Sequence, residues 1–401
     1  MTATSNGHAP PRAPSKISRS SNRPASRTLA SRGWLDRCMA RQLELSLGAL
    51  CLILAGNAWH RPEFHLSTDL TPAPSYHIRQ VFARFLYLSF RVPGTNTYYK
   101  GRDDAYFIAW WVIAFWFLRE ALMKYAFGPF ARWCGIRSRR SVVRFAEQSW
   151  SLLYPIIFWS LGLYINQTSD YRSLNTLHFW KGYPHDALPA LTKWYYLVQT
   201  AFWIQQIIVL NLEARRKDYA QMFAHHIITV LLVSFSYVLN WTRIGNTILC
   251  IMDLSDIFLP LAKLFKYAGA QKCSDATFAL FLVSWIVTRH YMFGIVLWSV
   301  CTEPQTVLEY GWNSSAGYFF SRNVQISFAL LLGALQILIC IWLSMILRVL
   351  WNMFRGGSAE DTRSDDEDEG EDDDEGDEAD GRASLEAVPD DRDGHETRKD
   401  R

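Results

Sequence analysis

Residues 220–265 read AQMFAHHIITVLLVSFSYVLNWTRIGNTILCIMDLSDIFLPLAKLF, and this stretch decides the fold. It holds two apolar runs, Ala220–Leu239 and Ile244–Phe265. Each is close to the roughly 20 residues that a helix needs to cross a bilayer core. Inside the runs sit His225, His226, Asp253 and Asp256. A charged group at mid-bilayer costs about 2.5–3.5 kcal/mol even on lenient insertion scales. Four ionisable groups in neighbouring spans therefore work against stability, and they point to intramembrane chemistry or to an ion path.

Six further apolar segments flank this pair: Leu43–Trp59, Ala105–Met123, Glu147–Ile165, Trp194–Leu212, Ala276–Cys301 and Val324–Leu350. The pattern predicts an all-α polytopic membrane protein of about eight spans with disordered termini. It divides into a basic cytosolic head (1–42), the first two spans with a lumenal loop (43–142), a membrane domain carrying the His and Asp pairs (143–355) and an acidic cytosolic tail (356–401). Gly245 and Pro260 predict a bent or irregular sixth span, tolerated where freed backbone faces protein or water. No short apolar stretch with a cleavage site opens the chain, so the first span is expected to remain as an anchor.

Composition hides this organisation. Mean hydropathy is −0.03 and net charge +3, both averages over very unlike parts. The head carries eight Lys/Arg against one Asp, whereas 365–378 is almost entirely Asp and Glu. Cysteines such as Cys51, Cys250, Cys301 and Cys340 fall in apolar runs without CxxC spacing, which reads as packing. Basic residues cluster in the head, in the connections after spans two (Lys124 to Arg144) and four (Arg215, Arg216, Lys217), and after span six (Lys266, Lys272). Eight spans put all of these on one side, the cytosolic side, together with both termini. Sequons at Asn166, Asn240 and Asn313 would then be lumenal; the first two lie too close to the bilayer for a glycan, which leaves Asn313 as the glycosylation candidate. In the tail, Ser358, Thr362 and Ser364 each precede an acidic residue at +3, a pattern for an acid-directed kinase, while a purely solubilising tail explains the charge equally well. The last residues, Arg398-Lys399-Asp400-Arg401, are similar to a dilysine-type retrieval signal. No nucleic-acid partner is expected.

With span five entering from the cytosol near Ala220, His225 lies about 8 Å deep at 1.5 Å per residue. Asp256 and Asp253 lie about 14 and 18 Å from the same face. The two aspartates are i, i+3 and share a helix face. The two histidines point about 100° apart, so one faces a reaction and the other orients or packs. His225 aligns with Met222 and Thr229, which favours it as the reacting ring. Imidazole acts as base or nucleophile near neutral pH, and a carboxylate fixes its tautomer and stabilises its cation. Acyl transfer to a lipid fits. A proton-coupled or lipid transporter, a lipid sensor, a bound metal and plain core packing stay open; adjacent histidines chelate poorly and no HxxxH box appears. Arg289 and His290 are two more polar residues in a span. The Arg215-Arg216-Lys217 cluster could attract coenzyme A phosphates or only mark orientation.

The residues from Arg215 through His225-His226, Thr229, Ser236-Tyr237, Asn240, Arg243, Gly245, Met252-Asp253, Asp256, Ala262-Lys263 and Tyr267 form a dense pattern. It resembles the longevity-assurance motif of the ceramide synthases, in the TLC-domain superfamily. A weaker likeness runs from about Arg144 to Trp351. Met252 stands where animal members have histidine, and a homeobox-like insert is missing; both features look fungal. The resemblance implies a TLC-type helix bundle in the endoplasmic reticulum membrane. It implies transfer of a fatty acyl group from acyl-CoA, a co-substrate with no bound cofactor, to the amine of dihydrosphingosine or phytosphingosine. It implies catalytic roles for both histidines and both aspartates. It marks Arg215, Arg216, Lys217, Thr229, Tyr237, Asn240, Arg243, Lys263, Arg289 and His290 as substrate-binding candidates. Expected partners are membrane lipids, a small single-span accessory subunit, and a second copy or a paralogue.

Overall fold

The computed structural model describes residues 41–58, 74–212 and 218–354. The head, most of the loop after the first span, the Arg215-Arg216-Lys217 cluster and the tail with Ser358, Thr362 and Ser364 lie outside the described residues. A helix lies on each of the eight apolar segments: α1 (Gln42–Ala58), α3 (Asp104–Trp133), α4 (Arg139–Gln167), α5 (Ala190–Leu212), α6 (Tyr219–Val238), α7 (Thr242–Tyr267), α8 (Gln271–Thr302) and α9 (Arg322–Phe354). One further helix, α2 (Pro74–Leu86), precedes α3. Among the described residues, α3, α6, α8 and α9 are long and apolar enough to cross a membrane by length and composition. The helices α4, α5 and α7 are less apolar for a physical reason. They carry polar groups inside the bundle, such as Lys193, Gln199, Gln205, Asn246 and Asp253, which neighbouring helices cover.

Two short antiparallel pairs sit on one face of the bundle. Strand β1 (Thr97–Tyr98) pairs with β2 (Leu188–Pro189), and β3 (Gly311–Asn313) pairs with β4 (Tyr318–Phe320). This hairpin face also holds the α6–α7 turn. There Asn240 takes φ of 64°, a left-handed conformation that asparagine tolerates better than most residues.

Helix α7 is the spine, packing on α4 along one side and on α8 along the other. Aromatic residues fill the α3–α4–α5–α7 side, with Phe115, Trp150, Tyr154, Tyr195 and Phe202 at its centre. A second core joins α7, α8 and α9 through Ile251, Trp285, Phe293, Leu332 and Ile339. Lipid offers apolar side chains as good a solvent as another helix does, so such bundles depend on close packing. Gly245 shows this: a Cβ there would overlap the Tyr196 hydroxyl.

The expected irregularity of the sixth span is not where the sequence placed it. Helix α7 runs unbroken through Gly245 and Pro260. Gly245 serves close approach, and Pro260 removes one N–H, leaving the Asp256 carbonyl without its helical donor. The irregular turns are π segments in α3 (Met123–Phe127) and α8 (Val287–Met292). The second carries Arg289, in line with the tendency of π turns to lie at functional sites. Helices α6 and α7 share a tight turn but touch only slightly, because a cavity separates them.

Candidate active site

That cavity, open at its mouth, holds about 700 Å³ of space free of protein atoms, part of it continuous with solvent. His225, Thr229, Leu232 and Ser236 wall it from α6; Ile248, Met252, Asp253 and Asp256 from α7; Trp203 from α5; Arg289 from α8; and Phe328 and Leu332 from α9. The polar groups gather at the end away from the hairpin face, and the rest of the wall is aliphatic and aromatic.

The α6 period explains the histidines. His225 and Thr229 are four residues apart, so both face the cavity. The His225 ring stands edge-to-face against Trp203 (5.6 Å between centroids) and Trp342 (5.2 Å). Its Nδ1 is enclosed without a partner among the described residues. His226, only 5% exposed, packs beside Trp203 at 5.5 Å and lies off the cavity wall. The two imidazoles thus divide as the helix geometry requires.

The aspartates divide as well. Asp253 is 1% exposed, and its Oδ2 accepts from Gln199 Nε2 at 2.9 Å. Gln199 is itself held, since its Oε1 accepts from the Tyr154 hydroxyl and its Nε2 also donates to Tyr195 Oη at 3.2 Å. Asp256, with a side chain 44% exposed, pairs with Arg289 Nη2 at 2.5 Å. The guanidinium is fixed further by Nε donating to Ser255 Oγ (2.7 Å), Nη2 donating to the Met252 carbonyl (3.1 Å), and the face of Trp285 (4.2 Å). One carboxylate is therefore braced by neutral donors and the other by a cation.

Of the sequence-derived candidates, His225, Thr229, Asp253, Asp256 and Arg289 meet around the cavity. Tyr237, Asn240 and Arg243 do not. They lie at the hairpin-face end with structural partners: Tyr237 donates to Asp104, Asn240 bridges Lys100 and the Gly317 carbonyl, and Arg243 donates to the His178 and Lys181 carbonyls. Lys263 lies off the cavity wall, two turns beyond Asp256. His290 also lies off the wall, its Nδ1 3.0 Å from Gln336 Nε2. Among the described residues no group of three His, Cys, Asp or Glu side chains could hold a metal ion.

Sequence reasoning missed Gln199, Trp203, Tyr154 and Ser255. Ionisable groups in apolar spans stand out by their cost, whereas this brace is a neutral amide. A signal was present: Tyr195, Gln199 and Trp203 recur every four residues on one face of an otherwise apolar helix.

A sequence profile of the TLC domain matches residues 144–348, which contains every residue of the cavity wall. The sphingosine N-acyltransferase lag1 of Schizosaccharomyces pombe is 44% identical over 286 residues, covering 71% of this chain and 73% of that protein. The ceramide synthase LAG1 of Saccharomyces cerevisiae is 38% identical over 76% of this chain and 74% of its own length. The ceramide synthase LOH2 of Arabidopsis thaliana is 34% identical over 65% of this chain and 90% of its own.

Proposed function

The chain belongs to the TLC-domain family of sphingosine N-acyltransferases, or ceramide synthases, and from that membership we propose how its cavity performs the reaction. The protein is an acyltransferase that joins a fatty acyl group to the amine of a sphingoid base. The observation that carries the mechanism is the convergence of His225, Asp253 and Asp256 on one apolar cavity long enough to lie along most of α6.

The donor is a fatty acyl-CoA. Its chain lies in the apolar part of the cavity, with the thioester at the polar end. His225 Nε2 attacks the thioester carbonyl, forming a C–N bond; the C–S bond breaks, and the coenzyme A thiolate takes up the proton that the imidazole gives up. The neutral amine of the base then attacks the acyl-imidazole carbonyl. The new C–N bond replaces the bond to imidazole, and the amine's proton returns to the ring through Asp253. Gln199 holds Asp253 in place for this transfer. The Arg289–Asp256 pair fixes the rim, where it orients the amine and its neighbouring hydroxyls. Proximity inside a water-poor site supplies much of the acceleration.

Eight spans, with the hairpin face lumenal and the opposite face cytosolic, deliver acyl-CoA to the polar end and agree with the basic connections on that side. The compartment is the endoplasmic reticulum membrane, as the resemblance to ceramide synthases implies. Arg215, Arg216 and Lys217, which precede α6 in the chain, bind the coenzyme A phosphates; an accessory subunit and a second synthase chain complete the working assembly.

The test uses detergent-solubilised protein, a fatty acyl-CoA and no base, followed by intact mass. An adduct of one acyl group that disappears with His225→Ala and is discharged by added base is expected. Normal ceramide formation without any adduct would replace the covalent step by direct transfer, with His225 as general base.

A further inference from the structure

Three enclosed donors on the cavity wall are unused by the mechanism: Trp241 Nε1 toward the hairpin face, and two beside His225. A threonine in the body of a helix ordinarily turns its hydroxyl back to the carbonyl four residues earlier. Thr200, Thr247, Thr277, Thr288 and Thr302 all do so. Thr229 does not: it is 8% exposed, lines the cavity, and among the described residues its Oγ1 has no partner. Facing it from α5, Trp203 also lines the cavity, and its Nε1–H is likewise enclosed and unpartnered. A buried indole N–H normally finds an acceptor. Trp111, Trp150, Trp241, Trp285 and Trp342 also keep enclosed indole N–H groups without a partner among the described residues, so Trp203 is singled out by its place with Thr229 on the cavity wall beside His225.

The geometry limits which ligand atom the pair can meet. Thr229 is one helical turn from His225 on the same face, toward the apolar part of the cavity. Trp203 stands perpendicular to the His225 ring, 5.6 Å away. Both therefore line the stretch of wall next to the His225 ring, where the oxygen of an attacked carbonyl would lie. Indole N–H can only donate, and the hydroxyl is free to donate, so the pair matches an acceptor carrying negative charge. Of the other polar groups of the wall, Arg289 is committed to Asp256 and Ser255, Asp253 to Gln199 and Ser236 to Tyr196, while Trp241 Nε1 is open but lies at the hairpin-face end, away from His225.

We infer that Thr229 Oγ1–H and Trp203 Nε1–H form the oxyanion site of this enzyme, receiving the charge that develops on the thioester oxygen. The inference rests on the reaction at His225 described above. As His225 attacks, the carbonyl π pair moves onto oxygen; when the C–S bond breaks the pair returns and the carbonyl reforms. The same oxygen is charged a second time when the amine attacks, so both donors act twice per turnover. Donors preplaced in a water-excluded site act on the transition state far more than on the ground-state carbonyl.

Steady-state kinetics with acyl-CoA and a long-chain base test this on wild type, Thr229→Val, Thr229→Ser, Trp203→Phe and His225→Ala, each checked for monodispersity and Tm in the same detergent. Thr229→Val keeps shape and loses the hydroxyl; kcat is expected to fall about a hundredfold with KM for acyl-CoA within threefold. Thr229→Ser should restore most of that loss, and Trp203→Phe should lower kcat about tenfold or more. If Thr229→Val does not purify as wild type does, Thr229→Ala takes its place with the same readings. Unchanged kcat in the Thr229 variant, or a loss confined to KM, while His225→Ala is inactive, overturns the oxyanion assignment and leaves the reaction at His225 standing. An active His225→Ala overturns both.

Discussion

The molecule places polar groups in its interior at two levels, and it treats them in opposite ways. Near the hairpin face, Lys193 meets Asp104 at 2.7 Å and also donates to the Ser89 and Tyr99 carbonyls. Tyr237 donates to the same aspartate at 2.7 Å, and Lys100 reaches Asn240 at 2.6 Å. These partners tie α3, α5 and the α6–α7 turn together. At the level of His225, by contrast, Thr229, Trp203 and His225 each keep on the cavity wall an enclosed polar atom without a partner among the described residues, whereas the open atoms of Thr242 and Asn246 near the hairpin face lie off that wall. An unpaired buried polar atom costs about 1–3 kcal/mol. The first level uses polarity to build; the second leaves it open for a substrate. The difference makes a rule that mutations can break: damage at the first level should appear as lost stability, and damage at the second as lost turnover.

The largest effect is expected at Asp253. Asp253→Asn keeps the shape and, with the amide of Gln199 turned over, keeps a hydrogen bond, so Tm in detergent should stay within a few degrees. Ceramide formation should fall about a thousandfold or more, the scale of losing a group that carries a proton in the reaction. Near-normal turnover would remove Asp253 from the chemistry. Next comes Lys193→Met, which leaves the buried Asp104 carboxylate without its cation. Breaking such a pair costs about 3–5 kcal/mol. The protein should lose Tm steeply, while kcat of the fraction that remains folded stays within a few-fold of wild type. A variant of normal Tm and low kcat would show that the two levels are not separate in kind.

Gln199 is the intermediate case, because it lies between the levels and touches the aspartate without touching the cavity. Gln199→Leu should lower kcat about tenfold by releasing Asp253, with KM for acyl-CoA little changed, and Gln199→Asn should not rescue because its shorter side chain falls out of reach of Oδ2. A loss confined to Tm would make Gln199 a packing residue.

The sequence made the second level legible and hid the first. Ionisable residues in apolar runs announce themselves by cost, so His225, Asp253, Asp256 and Arg289 could be located from spacing alone, and the 3.6-residue period separated His225 from His226. Tyr237, Asn240 and Arg243 belong to the same motif, yet they end up 15 to 20 Å or so along the bundle by helix rise. A motif groups residues along the chain without separating those that react from those that frame. The frame was hidden because its partners are distant in sequence: Lys100 and Asn240 are 140 residues apart, and Asp104 and Tyr237 are 133 apart. Neutral braces such as Gln199 carried no electrostatic alarm. Hydropathy likewise passes over α5 and α7, whose averages are lowered by interior groups such as Lys193, Gln199, Gln205, Asn246 and Asp253.

The smallest effect expected is a pH dependence, and it belongs to the framing level. Lys100 lies in the loop between β1 and α3, and burial pushes its pKa from 10.5 down to about 7; Lys193 adds to this, while Asp186 and Asp104 pull the other way. Below pH 7 the ammonium is present in both folded and unfolded chains, and folding bears the full cost of burying it. Between about 7 and 10.5 the folded lysine is neutral while the unfolded one still holds its proton, so the unfolded state binds more protons and stability rises with pH. His185, in the neighbouring loop, is pushed down to about 4, chiefly by burial and then by Arg243, and its stabilising window lies lower, between about 4 and 6.5. The two windows do not overlap. Tm of the detergent-solubilised protein should therefore climb by a few degrees from pH 7 to pH 9, and Lys100→Met should flatten that climb while leaving the rise below pH 6.5 in place. If the climb survives in Lys100→Met, the lysine is not its source and the frame holds its charge with less strain than its burial implies. If the climb disappears together with turnover, the loop reaches the cavity after all, and the division between building and reacting levels fails at the residue where it should be clearest.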